Sequence, residues 1–341
     1  MRYPFPFLPP VRADPVSPLA GTIAPVFGTI APVLGTIVAV FGTIAAGFIA
    51  ARIGWLRPGW VRGLVLFVFN GAIPVMLFYR IATLDLPERI EWRFLLAYYG
   101  SAFATYAAGM AVARLRFDRP LNEQAIFGLG AGFSNTVLLG IPLMVTAFGP
   151  EATLPVFLII AFHSATLLPV TVILLEVGRS REEGSIWPRL RGLSMEIIAN
   201  PIMVGILLGF AANGFSLALP RPVELFAGLI SQIAIPTSLV ALGASLAGYK
   251  LTGQIGAASA LAGLKLLVHP LIAWTIAVPI LGLGRPWAPV AVVMAGMPTG
   301  AMVYLFGARY DTASDVAAGT VTLASAVSVV TLSILLVLMG G

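Results

Sequence analysis

The stretch "AGFSNTVLLGIPL", residues Ala131–Leu143, lies inside an apolar run long enough to cross a bilayer, yet it carries Gly132, Ser134, Asn135, Thr136, Gly140 and Pro142. Lipid offers no hydrogen-bond partner to an open backbone. Non-helical chain at membrane depth therefore persists only where protein or a water-filled cavity satisfies it. The stretch reads as a membrane helix interrupted for a purpose. Glycine lowers the cost of leaving helical geometry. Pro142 lacks a donor and frees a carbonyl. The Asn135 amide offers both donors and acceptors.

Composition sets the frame around it. The chain has 341 residues, is 59% hydrophobic and only 10% charged, with a mean hydropathy of +0.97. Soluble domains are about a quarter charged, so this is an all-α polytopic membrane protein. The absence of cysteine excludes disulfides and thiolate metal sites. Two histidines make a histidine-based metal centre improbable, and no cofactor is expected. The net charge of +6 is spread over short loops, which suits membrane orientation better than nucleic-acid binding. The N-terminal "MRYPFPFLPPVRADPVSP" is proline-rich without an apolar core, so it reads as a loosely ordered tail and not as a signal peptide.

Ten spans follow from the apolar runs, near 26–51, 61–83, 93–113, 123–147, 153–177, 194–213, 223–247, 255–281, 287–307 and 313–339. The first carries a seven-residue repeat, "GTIAPVF", "GTIAPVL", "GTIVAVF" and "GTIAAGF", starting at Gly21, Gly28, Gly35 and Gly42. A helix-packing seam is one reading. A short duplication that lengthened the first helix is the preferred one, with Pro25 and Pro32 expected to disturb a continuous helix. Loops after odd-numbered spans carry twelve of the twenty Lys and Arg residues, and the opposite side carries seven. The richer side is cytoplasmic, so both termini are expected outside the cytoplasm. The preference for Arg over Lys suits a bacterial inner membrane.

The halves resemble each other. Gly47–Phe48 precedes "AIPVML" at Ala72 by 25 residues, and Gly209–Phe210 precedes "AIPTSL" at Ala234 by the same distance, both pairs being offset by 162. Carried forward, the offset sets "FSNT" of the fourth span against "MPTG" of the ninth, where "AGMPTGAMVY" holds Gly296, Pro298, Thr299 and Gly300. The organisation is a tail (1–20), a first five-helix repeat (21–178), a cytoplasmic linker (179–193) and a second five-helix repeat (194–341). An odd number of spans per repeat inverts the second copy, placing a site at the midplane where the discontinuous crossing helices of spans 4 and 9 meet. Two half-helix N-termini converging there form an anion site. Pro74 and Pro236 read as kinks.

At these residues the chain resembles a known family. "NTVLLGIPL" (135–143), "NPIMVGILLG" (200–209), "IPTSLVALGASL" (235–246), "LKLLVHPLIAW" (264–274) and "AGMPTGAMVYLFGARYD" (295–311) resemble the auxin efflux carriers, whose bacterial members are called malonate-transporter-like. The resemblance implies ten helices in two inverted repeats, a scaffold half and a transport half as in bile acid–sodium symporters, elevator-type alternating access, and small organic anions as substrates. It implies a proline followed by a polar residue in each crossing helix. Pro298 and Thr299 keep that pattern, whereas Ser134 stands before Asn135 where plant members have proline.

The expected site is thus Ser134, Asn135, Thr136, Pro298, Thr299 and Gly300, with the break itself at Gly132, Gly140, Pro142 and Gly296. Every Asp and Glu falls in a loop or near a helix end, which argues against a glutamate-based sodium site. His163, in the fifth span, and Lys265 and His269, four apart on one face of the eighth, are candidates for coupling or gating. Lys265 suits a countercharge or conformer lock, and either histidine a coupled proton. Their structural alternatives are snorkelling for Lys265 and packing for the histidines. The leading function is a secondary carrier of a small organic carboxylate. A channel-like facilitator and a sodium-coupled symporter of a bile acid-like anion are the alternatives. An enzyme using His163 and Ser164 is disfavoured, because adjacent helical residues diverge by about 100°. Proton or sodium coupling and a homodimer are left open.

Overall fold

The computed structural model describes residues 18–87, 89–178, 187–248 and 254–340, with side chains from Leu34 onward. Residues 1–17, most of the expected linker and Lys250 lie outside them, as do the side chains of the first two heptads. The described chain is all helical apart from one isolated bridge. In order it holds α1 (Pro18–Arg52), α2 (Pro58–Phe67), α3 (Ile73–Ala82), α4 (Arg93–Phe117), α5 (Leu121–Gly132), α6 (Ile141–Phe148) and α7 (Thr153–Gly178). Then come α8 (Trp187–Ile198), α9 (Pro201–Gly214), α10 (Arg221–Leu246), α11 (Ile255–Gly263), α12 (His269–Thr275), α13 (Trp287–Ala295), α14 (Met302–Arg309) and α15 (Ser314–Met339).

Six helical stretches among the described residues are long and apolar enough to cross a membrane, and α8 with α9, bent by 56° at their junction, would make a seventh. Large apolar side chains such as Val38, Leu96, Leu115, Leu229, Leu271 and Val330 are exposed, as a lipid-facing surface requires. The protein is a polytopic integral membrane protein. α1 corrects one expectation. It runs unbroken for 35 residues through Pro25 and Pro32, about 50 Å at helical rise, so the heptads lengthen the helix without interrupting it.

The prolines shape the helices in a second way. π-helical turns at Val68–Ala72, Thr136–Gly140 and Leu264–Val268 each end two residues before a proline, at Pro74, Pro142 and Pro270. A proline offers no N–H and its ring collides with the carbonyl four residues back. That carbonyl lies inside the π turn each time, and the wider turn relieves the collision. Pro74 therefore follows a widened turn, whereas α10 continues through Pro236 without a break.

Two groups of helices pack separately. In the first, α1 lies on α10, α3 on α9, and α10 also on α2 and α3. In the second, α4 packs on α5, α12 and α13, α5 on α7, and α15 on α11 and α14. The first group meets the second through α10, which touches α6 and the π turn at Thr136–Gly140, through α1, which touches α6 and α15, and through α3 and α9, which touch α7.

Glycines set the closest crossings of the first group. A Cβ on Gly47 would strike the backbone of Val240, and one on Gly209 would lie 2.8 Å from the Ile81 side chain and 3.1 Å from the Phe78 carbonyl. Replacing either glycine by leucine is expected to destabilise the protein by about 1–3 kcal/mol, as overpacking does. Gly42, with nothing within 4 Å of its missing Cβ, is the control whose leucine variant keeps its melting temperature. Equal melting curves for all three would remove the packing argument.

Candidate functional site

The crossover is built from two interruptions. α5 ends at Gly132, Phe133 and Asn135 leave helical geometry (φ −88°, ψ 114° and φ −76°, ψ 70°), and helix resumes at Thr136. α13 ends at Ala295, and residues 296–301 lead to α14. The two open segments run antiparallel. The Asn135 backbone N–H donates to the Pro298 carbonyl at 2.8 Å, and the Gly300 backbone N–H donates to the Phe133 carbonyl at 3.0 Å. Ser134 and Thr299 face each other between these bonds, the one β-type pairing among the described residues. Buried N–H and C=O groups need partners, and here each break supplies them to the other.

All six expected site residues meet here and are buried or nearly so. Of the expected break residues, Gly296 opens the second break and Gly132 is the last residue of α5, whereas Gly140 has helical dihedrals (φ −60°, ψ −52°) and Pro142 sits inside α6. None of the three glycines has a positive φ. Gly132 and Gly140 are small because Ala102 O and Met294 Sδ stand 2.9 and 3.0 Å from where a Cβ would be. The opening in the fourth span is confined to Phe133–Asn135.

The ends of the broken helices carry charge. Helix C-termini present orphan carbonyls and a partial negative charge, and helix N-termini the reverse. At each C-terminus one carbonyl accepts from a side chain. The Thr299 hydroxyl donates to Gly130 O at 2.8 Å, and Lys265 Nζ donates to Ala295 O at 2.5 Å. The proton of the Thr299 hydroxyl is thus committed to the helix. On the N-terminal side the polar groups are unspent. Ser134 Oγ is buried near the Tyr98 hydroxyl without a hydrogen bond of ordinary geometry, and neither the Asn135 side-chain amide nor the Thr136 hydroxyl bonds any described residue. One carbonyl at each of these helix ends is thus covered, while the unspent side-chain groups stand where the half-helix at Thr136 begins.

A polar cluster adjoins the crossover, and it joins the three ionisable residues that the sequence places in two separate spans. His163 Nε2 accepts from the Ser134 backbone amide at 3.1 Å. Its Nδ1 lies 3.3 Å from the Tyr98 hydroxyl, and its ring lies against Phe133, 4.2 Å between centroids. The Tyr98 ring lies 6.0 Å from that of His269, whose Nδ1 is 2.9 Å from Lys265 Nζ. Lys265 and His269 are completely buried, so Lys265 does not snorkel. Among the described residues no Asp or Glu is buried. Lys265 Nζ thus has two partners, Ala295 O and His269 Nδ1. His269 Nε2 has no partner. Tyr98 is the hub that sequence reasoning missed.

A family model described as a membrane transport protein matches residues 32–336. The chain belongs to this membrane transport family. The auxin efflux carrier resemblance is that same assignment. The chain is also 25% identical over 282 residues to a "Putative malonate transporter" of Rhizobium meliloti (strain 1021), covering 82% of this chain and 86% of that protein. For this member of the membrane transport family the finding points to transport and away from enzymatic chemistry. Two cavities flank the crossover along α7. One, of about 320 Å³, is lined by Glu176, Arg189, Glu196 and Arg309 at the C-terminal ends of α7 and α14. The other, of about 500 Å³, is lined by Arg80, Asp85, Glu151 and Trp287, where α7 and α13 begin. His163 lies about midway along α7 between them.

Proposed function

We propose that this protein is a secondary carrier that moves a small organic carboxylate, malonate being the first candidate, through the inner membrane of a bacterium. The observation that carries the reading is the reciprocal bridge at Ser134–Thr299, with Ser134 Oγ, the Asn135 amide and the Thr136 hydroxyl left unspent beside it. These groups offer hydroxyl and amide donors where a half-helix begins, with no described carboxylate buried beside them, and that suits an anion. Lys265 supplies a countercharge nearby. The relative's name gives the substrate class its first test compound.

Two inverted repeats of five helices account for the architecture. The Gly47–Val240 contact and the Gly209–Phe78 contact are the same contact under the 162-residue offset. The offset also carries α4 onto the helical run Ile255–Ile280 and α7 onto α15. Ten crossings result, with α5–α6 and α13–α14 as the broken pair. We assign the first packing group to a scaffold and the second to a moving body. The bridge travels within that body past α1 and α10, and the two cavities serve as its entry and exit.

The test is counterflow. Proteoliposomes loaded with unlabelled malonate should transiently accumulate labelled malonate, and uptake should saturate. A flux that rises linearly with concentration and shows no counterflow identifies a channel instead.

A further inference from the structure

We propose that His163 is the proton-binding residue of this carrier, and that a proton on its Nε2 transfers the Ser134 amide from the imidazole to the arriving carboxylate. The proposal rests on the carrier reading. It deepens that reading by naming the coupled ion and the atom that holds it.

The geometry carries the argument. A backbone N–H can only donate, so the 3.1 Å contact from Ser134 N makes His163 Nε2 an acceptor. A neutral ring then holds its proton on Nδ1, and the Tyr98 hydroxyl accepts it. A second proton can bind only at Nε2. There it turns the acceptor into a donor, and two donors cannot share a hydrogen bond. Protonation therefore breaks a bond made at the centre of the crossover, in the residue opposite Thr299. The freed Ser134 amide joins its own unpartnered hydroxyl, and both then face an incoming anion.

Electrostatics makes the two events cooperative. The titratable groups around His163 are Tyr98 from α4 and Lys265 and His269 from the helical run across the cluster. α6, α9 and α13 carry no titratable side chain. Tyr99 of α4 is spent on Ile159 O, one turn away on α7. On α3, Arg80 stands in its last turn and lines the larger cavity with Glu151. Glu123 stands in the first turn of α5, paired with Arg119. On α7, Glu176 pairs with Arg189 of α8, about 20 Å along the helix from His163 at helical rise. The remaining charges of α8, Arg191 and Glu196, lie near that end as well. No described carboxylate is buried to balance an imidazolium beside Lys265. The substrate brings the missing negative charge, so proton and carboxylate each raise the affinity for the other. Movement of the pair together is proton symport.

Two measurements test this on the purified full chain. First, calorimetric titration at pH 7 in two buffers of different ionisation heat reads the protons taken up with each ligand, using malonate, succinate, malate and acetate as probes. Linkage predicts uptake of about one proton per bound carboxylate for the wild type and none for His163→Gln, whose amide oxygen still accepts from Ser134 but takes no proton. Should His163→Gln not fold, His163→Asn serves, and the wild-type titration stands without either. Second, an acid-outside gradient should accelerate carboxylate uptake into proteoliposomes by the wild type and leave His163→Gln unaffected, and that variant, whose glutamine keeps hold of the Ser134 amide, should exchange carboxylate at equal pH more slowly than the wild type. Binding without proton uptake by the wild type, or undiminished uptake by His163→Gln, overturns the proposal and leaves the carrier intact. Neither binding nor exchange with any of the four probes overturns the carrier reading and the proposal together.

Discussion

Asn135→Ala is expected to lower malonate counterflow by about 10- to 100-fold, the loss of one hydrogen bond to a charged partner at about 1.5–3 kcal/mol. The protein itself should hardly notice. Only the backbone of Asn135 enters the crossover, through the bond to Pro298 O and the bond accepted from Gly140 N, and alanine keeps both. Its side-chain amide bonds no described residue, so removing it leaves no orphaned partner behind. The expected signature is a severe loss of initial rate with a melting temperature close to that of the wild type. Unchanged flux would mean that the amide is not part of the site. Lost flux with a collapsed melting curve would mean that it holds the fold.

Gly300→Val should have the opposite signature. A Cβ at Gly300 would lie 2.9 Å from the Phe133 ring and 3.2 Å from Ser134 O. Both belong to the opposing strand of the bridge, and Phe133 is held against His163. Valine forces the segments apart and puts at risk the bonds from Asn135 N and Gly300 N. Overpacking alone costs about 1–3 kcal/mol, and each buried backbone group left without a partner adds about 1–3 kcal/mol. The variant should unfold at distinctly lower temperature and show no counterflow. Gly300→Ala combined with Phe133→Leu tests the cause. If the ring is the obstacle, the double variant is more stable than Gly300→Ala alone, and the cycle yields a coupling energy. Independent effects would show that Phe133 is not what glycine makes room for.

The centre of the crossover was legible in the sequence because each half writes the same interruption into an apolar run. Neither "FSNT" nor "MPTG" decides anything alone, but at one offset they point to each other. The transport family was legible through its separated motifs. The width of the break was not. Glycine and proline mark a departure from helix and a tight contact with the same letters, and at Gly132 and Gly140 the contact with α4 and α13 was the cause. The polar cluster was less legible still. His163, Lys265 and His269 could be picked out as ionisable groups in apolar surroundings, but their meeting depends on tertiary packing. Tyr98 gave no signal, since α4 is polar on several faces and a tyrosine before Tyr99 reads as an interfacial ring. The capping of Gly130 by Thr299 was equally hidden, because a hydroxyl in a broken helix serves a ligand or a carbonyl without any difference in sequence.

The cluster also has no counterpart in the proposed repeat. Under the 162-residue correspondence, His163 is matched by Ser325, Lys265 by Phe103, His269 by Ala107 and Tyr98 by Ala260. A molecule with identical halves would rest equally on either face of the bilayer, since inversion would exchange its two resting forms. The buried basic groups have no counterpart under that correspondence. In the carrier proposed above, the two forms then differ in free energy even with no solute and no gradient present. Half-saturating concentrations measured from the two faces of the same vesicle should therefore be unequal.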